Sequence, residues 1–363
     1  MNHTPQKAFI ATDQKHYDKL GLSTTTIEQW EDGLRTDPEK KGSFEWWYFD
    51  SHLDDGAKLV ITFFTKSADN PSAGAVPRIA LDLDLPDGRT INKEIDFAPG
   101  SLTASTEGCD VTIAGNTFSG DLHTYRIIAS LEEVSVDVTL TGETAAWRSG
   151  TGHTFFGSDD ETFFAWLPAV PAGKVEATYT VDGTSTTTTG HGYHDHNWGN
   201  APMLEVLNNW YWGRGAAGPF SFITAEMIAE KKYGNTPLPV FMLARDNEVF
   251  ADDFTKVTFA KSGIHTDEKT GKPVADDHSF TYTDGATEYT VAYHREETIL
   301  RNFFIDQVHG VKKFLAKLVG FDGCYMRFSG TVTCTHRENG EVVEEYTEPA
   351  IWELMFFGKD PEA

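Results

Sequence analysis

Near its centre the chain reads Gly190-His191-Gly192-Tyr193-His194-Asp195-His196-Asn197-Trp198-Gly199. Imidazole and carboxyl groups at that density suit proton transfer, and an indole face beside them can steady a cation. If the stretch is a strand, alternation sends His194, His196 and Trp198 to one face and Tyr193, Asp195 and Asn197 to the other, so only one set lines a given cavity. Two other readings stay open. His194 and His196, an i,i+2 pair with His191 nearby, could bind zinc, but neither a His-Glu pairing nor a cysteine ligand accompanies them, and no metal is expected. Asp195 and Asn197 could equally belong to a structural network that satisfies loop backbone groups.

The elements that must position these residues read as strands. Residues 43–50, Ser-Phe-Glu-Trp-Trp-Tyr-Phe-Asp, alternate Phe44, Trp46, Tyr48 and Asp50 against Glu45, Trp47 and Phe49, so both faces are largely aromatic and the strand is covered on both sides. Asp54-Asp55-Gly56 is a hairpin signal, and residues 58–66 form the returning strand. Further strands are expected at 80–85, 90–97, 111–114, 124–130, 134–141, 163–167 and 175–181, with residues 184–189 as a polar hairpin tip. A second β-rich half follows Ala201-Pro202, at 210–214, 221–228, 240–244, 254–259, 280–282, 289–294, 325–335 and 350–357.

Helical spacing is confined to two places. Residues 17–34 carry Ile27, Trp30 and Leu34 on one face behind Thr24 to Thr26 as caps, and residues 308–319 carry Val308, Val311, Leu315 and Leu318, with Lys312, Lys313 and Lys317 beside them. The second helix would cover a barrel mouth or act as a lid over it. The expected fold is all-β, an antiparallel sandwich or barrel in two domains: an arm at 1–42, a first β-domain at 43–200 and a second at 201–363.

With 30 Lys+Arg against 55 Asp+Glu, the net charge of -25 repels nucleic-acid phosphates and anionic lipid surfaces. No run of apolar residues is long enough to span a membrane and no basic-then-apolar leader opens the chain, so a cytoplasmic protein is expected, although a processed secreted form reads the same way. Cys109, Cys324 and Cys334 form no CxxC pair and read as buried thiols. Gly213-Arg214-Gly215 lacks GxGxxG spacing, and neither a GxSxG elbow nor a P-loop occurs.

Two phrases together, Glu45-Trp46-Trp47-Tyr48-Phe49-Asp50 and Gly192-Tyr193-His194-Asp195-His196-Asn197-Trp198-Gly199, resemble the carotenoid hydratase (hydroxyneurosporene synthase) and AttH-like family. Trp210-Tyr211-Trp212-Gly213-Arg214 and Trp352-Glu353-Leu354 extend the resemblance over most of the chain from Ser43 onward. It implies two lipocalin-like β-domains and cofactor-free action on a hydrophobic isoprenoid, prenyl or polyketide molecule. Carotenoid hydratase and the similar kievitone hydratase add water to a terminal double bond, and fungal relatives include Diels-Alderases. The intact histidine phrase favours hydration; a cyclase or Diels-Alderase and a non-catalytic carrier are the alternatives.

Hydration needs an acid that protonates carbon, a surface that tolerates a tertiary cation, and a positioned water. The resemblance assigns catalytic roles to His196, which would hold or deprotonate water, and to Trp198, whose ring would face the cation, with His194 beside them. It places the proton donor on the strand after the Trp-Tyr-Trp segment, where Glu226 is the only acid, and Asp195 competes with it. A Glu226 buried among Phe222, Ile228 and tryptophans would be raised by desolvation. Trp46, Tyr48, Tyr193, Trp210, Trp212 and Phe222 are candidate substrate contacts, Trp46 and Tyr48 reading also as core. Glu45, Asn197 and Arg214 would support the site, Arg214 by pairing with Glu45 or Glu226.

Overall fold

The computed structural model describes residues 7–66, 71, 74–303 and 323–357. Residues 308–319, read as a helix, lie outside them. Of the described residues, those within 10–155 and 159–202 form one compact unit, and those within 203–357, with 7–9 and 156–158, form another. Each unit is a curled antiparallel sheet around its own core, so the all-β architecture expected from the turn signals is the one observed.

The thirteen-stranded sheet of the first unit places the aromatic strand, Phe44–Leu53, beside the histidine strand, Thr184–Gly199, at its middle. Their register pairs Trp47 with His196, Phe49 with His194, Tyr48 with Asp195 and Trp46 with Asn197. Alternation then fixes the faces. Trp47, Phe49 and Trp198 join the core, with Ile61, Phe63, Phe118 and Tyr125 around them, whereas Trp46 and Tyr48 are half-buried on the opposite side. The aromatic strand is covered on both sides for that reason.

The glycines of the histidine strand answer to crowding rather than to turns. A Cβ at Gly190 would stand 2.3 Å from the His52 carbonyl oxygen and 2.8 Å from Leu53 Cα, both backbone atoms of the paired strand. Gly190→Ala is therefore expected to destabilise the chain by roughly 1–3 kcal/mol through forced backbone shift, seen as a lower urea midpoint with an unchanged slope.

Three expectations need correction. Residues 17–34 are not one helix: a helix spans Gln14–Leu20 and stops where Gly21, at φ 70°, folds its N–H back to Asp18 and Tyr17. The chain then runs extended to a short 3-10 turn, Gln29–Asp32, capped reciprocally by Glu28 and Glu31, because this conformation carries Asp32 into the core. Second, 163–167 and 175–181 are one strand, Phe163–Val181, irregular between Pro168 and Val170 and between Val170 and Gly173. Pro168 and Pro171 interrupt the ladder without ending the strand, since bulges absorb residues that lack a donor. Third, the polar residues 184–189 are the first half of the histidine strand, and the tip is Asp182-Gly183.

The nine-stranded sheet of the second unit pairs Leu207–Ala217 with Phe220–Ala229 on one side and Glu341–Phe356 on the other. Its core is built on Tyr211, Phe222, Phe241, Tyr293, Phe328 and Trp352. Among the described residues no helix is long and apolar enough to cross a membrane.

Candidate functional site

The two faces of the histidine strand carry two different polar clusters. On the core face, His194 and His196 are fully buried and each meets carboxylates. His194 sets Nδ1 at 2.8 Å from the Tyr48 carbonyl and Nε2 at 3.3 Å from Asp32 Oδ2. His196 sets Nε2 at 2.8 Å from Glu45 Oε1 and Nδ1 at 3.4 Å from Asp32 Oδ1. His194 Nδ1 and Nε2 and His196 Nε2 each meet an acceptor, whereas His196 Nδ1 and Asp32 Oδ1 face one another at 3.4 Å without a hydrogen bond. Tyr125 donates to Asp32 Oδ2 at 2.5 Å, and Trp47 Nε1 to the Asp32 carbonyl at 3.0 Å.

Glu45 is saturated in the same way. It accepts the Arg35 N–H at 2.6 Å and both the Thr36 N–H and hydroxyl at 2.7 Å, besides its contact with His196. Rings close the remaining surface: Trp47 stacks on His196 at 4.7 Å, Trp198 lies 4.6 Å from it, and Tyr125 meets His194 edge-on at 4.4 Å. The histidines therefore bolt residues 29–36 into the core of the first unit. Neither Asp32 nor Tyr125 stands out in the sequence; only the fold brings Asp32 to residues so distant along the chain.

Asp32, Cys109 and His194 also place three potential metal-ligating atoms within 4.8 Å of one another. Burial and the nearby Asp32 carboxylate push the Cys109 thiol well up.

On the opposite face, Asp195 is nearly buried and is held by three donors. Trp166 Nε1 reaches Oδ2 at 2.7 Å and Tyr193 hydroxyl reaches it at 2.8 Å, while Asn197 Nδ2 reaches Oδ1 at 2.7 Å. Burial pushes its carboxyl up to about 6, and the hydrogen bonds from Tyr193, Trp166 and Asn197 and the charge of His194 only partly offset it. Tyr48 stands edge-on to Tyr193 at 6.3 Å and donates to Asp50 at 3.0 Å. Trp46 shares this face and lies 6.4 Å from Phe164. Trp166, which no sequence signal singled out, belongs to this site because Phe163–Val181 pairs with the histidine strand.

The structure thus separates the candidates. Tyr193, Asp195, Asn197, Trp46 and Tyr48 come together on one face, and His194, His196, Trp198 and Glu45 on the other. Glu226 lies in the second unit, across from Tyr211 in register and nearly buried, as Phe222 is. Desolvation pushes the Glu226 carboxyl up to about 7, offset in part by Lys261, and its Oε2 has no hydrogen-bond partner among the described residues. Trp210, Trp212 and Arg214 alternate with Tyr211 and Gly213, so they face away from the second core. Glu45 accepts from Arg35 and Thr36 and meets His196, and the charge of Arg214 is felt at Glu353.

His278 adds a pH effect. It is buried against Tyr293 with rings stacked at 4.6 Å, and Nδ1 has no hydrogen-bond partner among the described residues. Burial, then Lys261, lowers its pKa to about 3. The unfolded chain takes up this proton below about 6.5 whereas the folded chain refuses it, so the stability is complete above that pH and is lost as pH falls toward about 3. His278→Phe is expected to lose about 2 kcal/mol less than the parent between pH 7 and 5, measured by urea unfolding at both values.

A model of a family described as Diels-Alderase-like matches residues 35–314. The hydroxyneurosporene dehydrogenase of Chlorobaculum tepidum is 26% identical over 208 residues, covering 48% of this chain and 53% of that protein. The chain thus spans about half the length of this relative. The quinolone epoxide rearrangement protein asqO of Emericella nidulans is 21% identical over 293 residues, 74% of this chain and 78% of that protein. Among solved structures, kievitone hydratase from Nectria haematococca superposes with a TM-score of 0.55 at 13% identity, covering 98% of both chains. At that identity the likeness shows the fold, which is lipocalin-like.

Proposed function

This chain belongs to the Diels-Alderase-like family, and on that footing we propose that it is a cofactor-free enzyme adding water to an isoprenoid or prenyl double bond of a hydrophobic small molecule. The observation that carries the reading is Asp195: an acid with a pKa of about 6 on a sheet face that also presents half-buried Trp46 and Tyr48. Protonated Asp195 gives its proton to one alkene carbon, and the tertiary cation left on the other carbon faces the rings of Trp46, Tyr48 and Trp166. Such contacts contribute roughly 0.5–2 kcal/mol each in a desolvated site. Water then adds to the cation and its proton returns to Asp195, so the net change is H and OH across the double bond.

Asp195 is preferred to Glu226 because the neighbours of Glu226, Tyr211 and Phe222, are core residues of the second unit. His194, His196 and Trp198 serve by fixing the strand that presents Asp195. Incubation with prenylated phenols and acyclic isoprenoids in heavy-oxygen water tests the reading. A tertiary alcohol carrying the label is expected; its absence from every substrate overturns hydration.

The family match and the relative named as a rearrangement protein favour a second reading, a cyclase that orients a polyene without transferring a proton. It predicts a product of unchanged mass and a rate insensitive to Asp195→Asn.

A further inference from the structure

The Asp32 carboxylate faces two imidazole lone pairs. His194 Nδ1 stands 2.8 Å from the Tyr48 carbonyl, which only accepts, so Nδ1 holds the ring proton and a neutral ring turns the Nε2 lone pair to Asp32 Oδ2 at 3.3 Å. Glu45 is already an acceptor for Arg35 and Thr36, so His196 donates to it from Nε2 and turns the Nδ1 lone pair to Asp32 Oδ1 at 3.4 Å. A second proton on His196 would need that last contact as a hydrogen bond, and it is not one. Asp32 Oδ1 and His196 Nδ1 are both buried without a hydrogen-bond partner among the described residues.

The fold brings a thiol to the same place. Cys109 opens the strand Cys109–Ile113, and its Sγ, a carboxylate oxygen of Asp32 and a ring nitrogen of His194 lie within 4.8 Å of one another, all three residues being buried. The thiol has only a weak acceptor, the Phe118 carbonyl at 3.7 Å, to give up. No cysteine stands near the histidines in the sequence, so the expectation of no metal there lacked a ligand that only folding supplies.

We propose that Asp32, Cys109 and His194 bind one zinc ion, with His196 Nδ1 at hand as a fourth donor. Sulfur, nitrogen and oxygen donors together suit zinc, and a tetrahedral ion with bonds of about 2.0 Å sets its nitrogen and oxygen ligands roughly 3.3 Å apart. That is the spacing of His194 Nε2 and Asp32 Oδ2. A carboxylate and a thiolate also cancel the charge of the dication, so the core takes in no net charge. Burial and Asp32 push the Cys109 thiol up, and a coordinated cation reverses that balance by deprotonating the thiol it binds. The bond from His194 Nδ1 to a backbone carbonyl is the outer contact that orients a ligating imidazole. Sealed in the core, the ion is structural: it fastens the turn Gln29–Asp32 to two strands of the sheet. The inference stands whether or not Asp195, on the other face of the histidine strand, protonates an alkene.

The test uses the full chain, produced in medium supplemented with zinc or with cobalt and then passed over a chelating resin. Elemental analysis is expected to find about one ion retained per chain, since a sealed site is loaded as the chain folds. The cobalt form is expected to show the intense visible bands of a tetrahedral ion and a near-ultraviolet thiolate-to-cobalt charge-transfer band. Cys109→Ser, a near-isosteric change, should lose that band and most of the retained metal, whereas Cys324→Ser and Cys334→Ser keep both. A charge-transfer band that survives Cys109→Ser overturns the inference. So does a chain that retains neither ion, or one that holds cobalt without the charge-transfer band, results that require no variant to fold.

Discussion

Replacing Asp195 with Asn is expected to lower turnover of an alkene substrate by about 100-fold or more, the usual contribution of a positioned general acid, while leaving the melting temperature within a few degrees. The fold should survive because the substitution suits the hydrogen bonds already present. Trp166 and Tyr193 both donate to Oδ2, and the asparagine carbonyl can take that place. The new amide then replaces Oδ1 opposite Asn197, whose own amide turns to offer its oxygen. Asp195→Leu, by contrast, leaves three donors without an acceptor and is expected to destabilise the first unit, so it is the wrong variant for testing chemistry.

The pH profile sharpens the test. As an acid, Asp195 works only while protonated, so kcat/KM should fall with pH above about 6, where burial sets its ionisation. A bound apolar substrate adds desolvation and moves the fall in kcat to higher pH. A rate that rises through about 6 would make Asp195 a base, and a rate independent of pH and of Asp195→Asn would favour the cyclase reading. Glu226→Gln, measured beside it, isolates the acid in the second unit.

Much of this site was legible because strands have a period of two. Alternation alone separated His194, His196 and Trp198 from Tyr193, Asp195 and Asn197, and it separated Trp46 and Tyr48 from Trp47 and Phe49. The hairpin signal at Asp54-Asp55-Gly56 and the succession of short strands pointed to the antiparallel architecture. What stayed hidden was long-range pairing. Asp32 meets His194 from a 3-10 turn inside a segment whose spacing suggested a helix, and Trp166 reaches Asp195 from a strand that its prolines made look like two. The paired histidines are the more conspicuous residues, and the contacts of His194 with Asp32 and the Tyr48 carbonyl and of His196 with Glu45 set them in the core of the first unit.

That occupancy predicts the largest stability effect in the molecule. Asp32→Ala removes the carboxylate that accepts from Tyr125, meets His194 and lies beside His196. Leaving buried donors without their acceptor costs about 1–3 kcal/mol each, so a loss of about 3–5 kcal/mol is expected, and for a unit of this size that lowers the melting temperature by about 10 °C. Thermal and urea unfolding measure it directly, and a loss under about 1 kcal/mol would show that the carboxylate is dispensable. A double substitution separates charge from packing. If the cost of Asp32→Leu comes from the uncompensated imidazole, then adding His194→Phe should recover part of it, since apolar residues of similar size often replace buried pairs at little cost. If it comes from the lost seat of residues 29–36 in the core, the second substitution should add to the damage. The first outcome makes the histidine strand an electrostatic latch whose other face is free to carry Asp195.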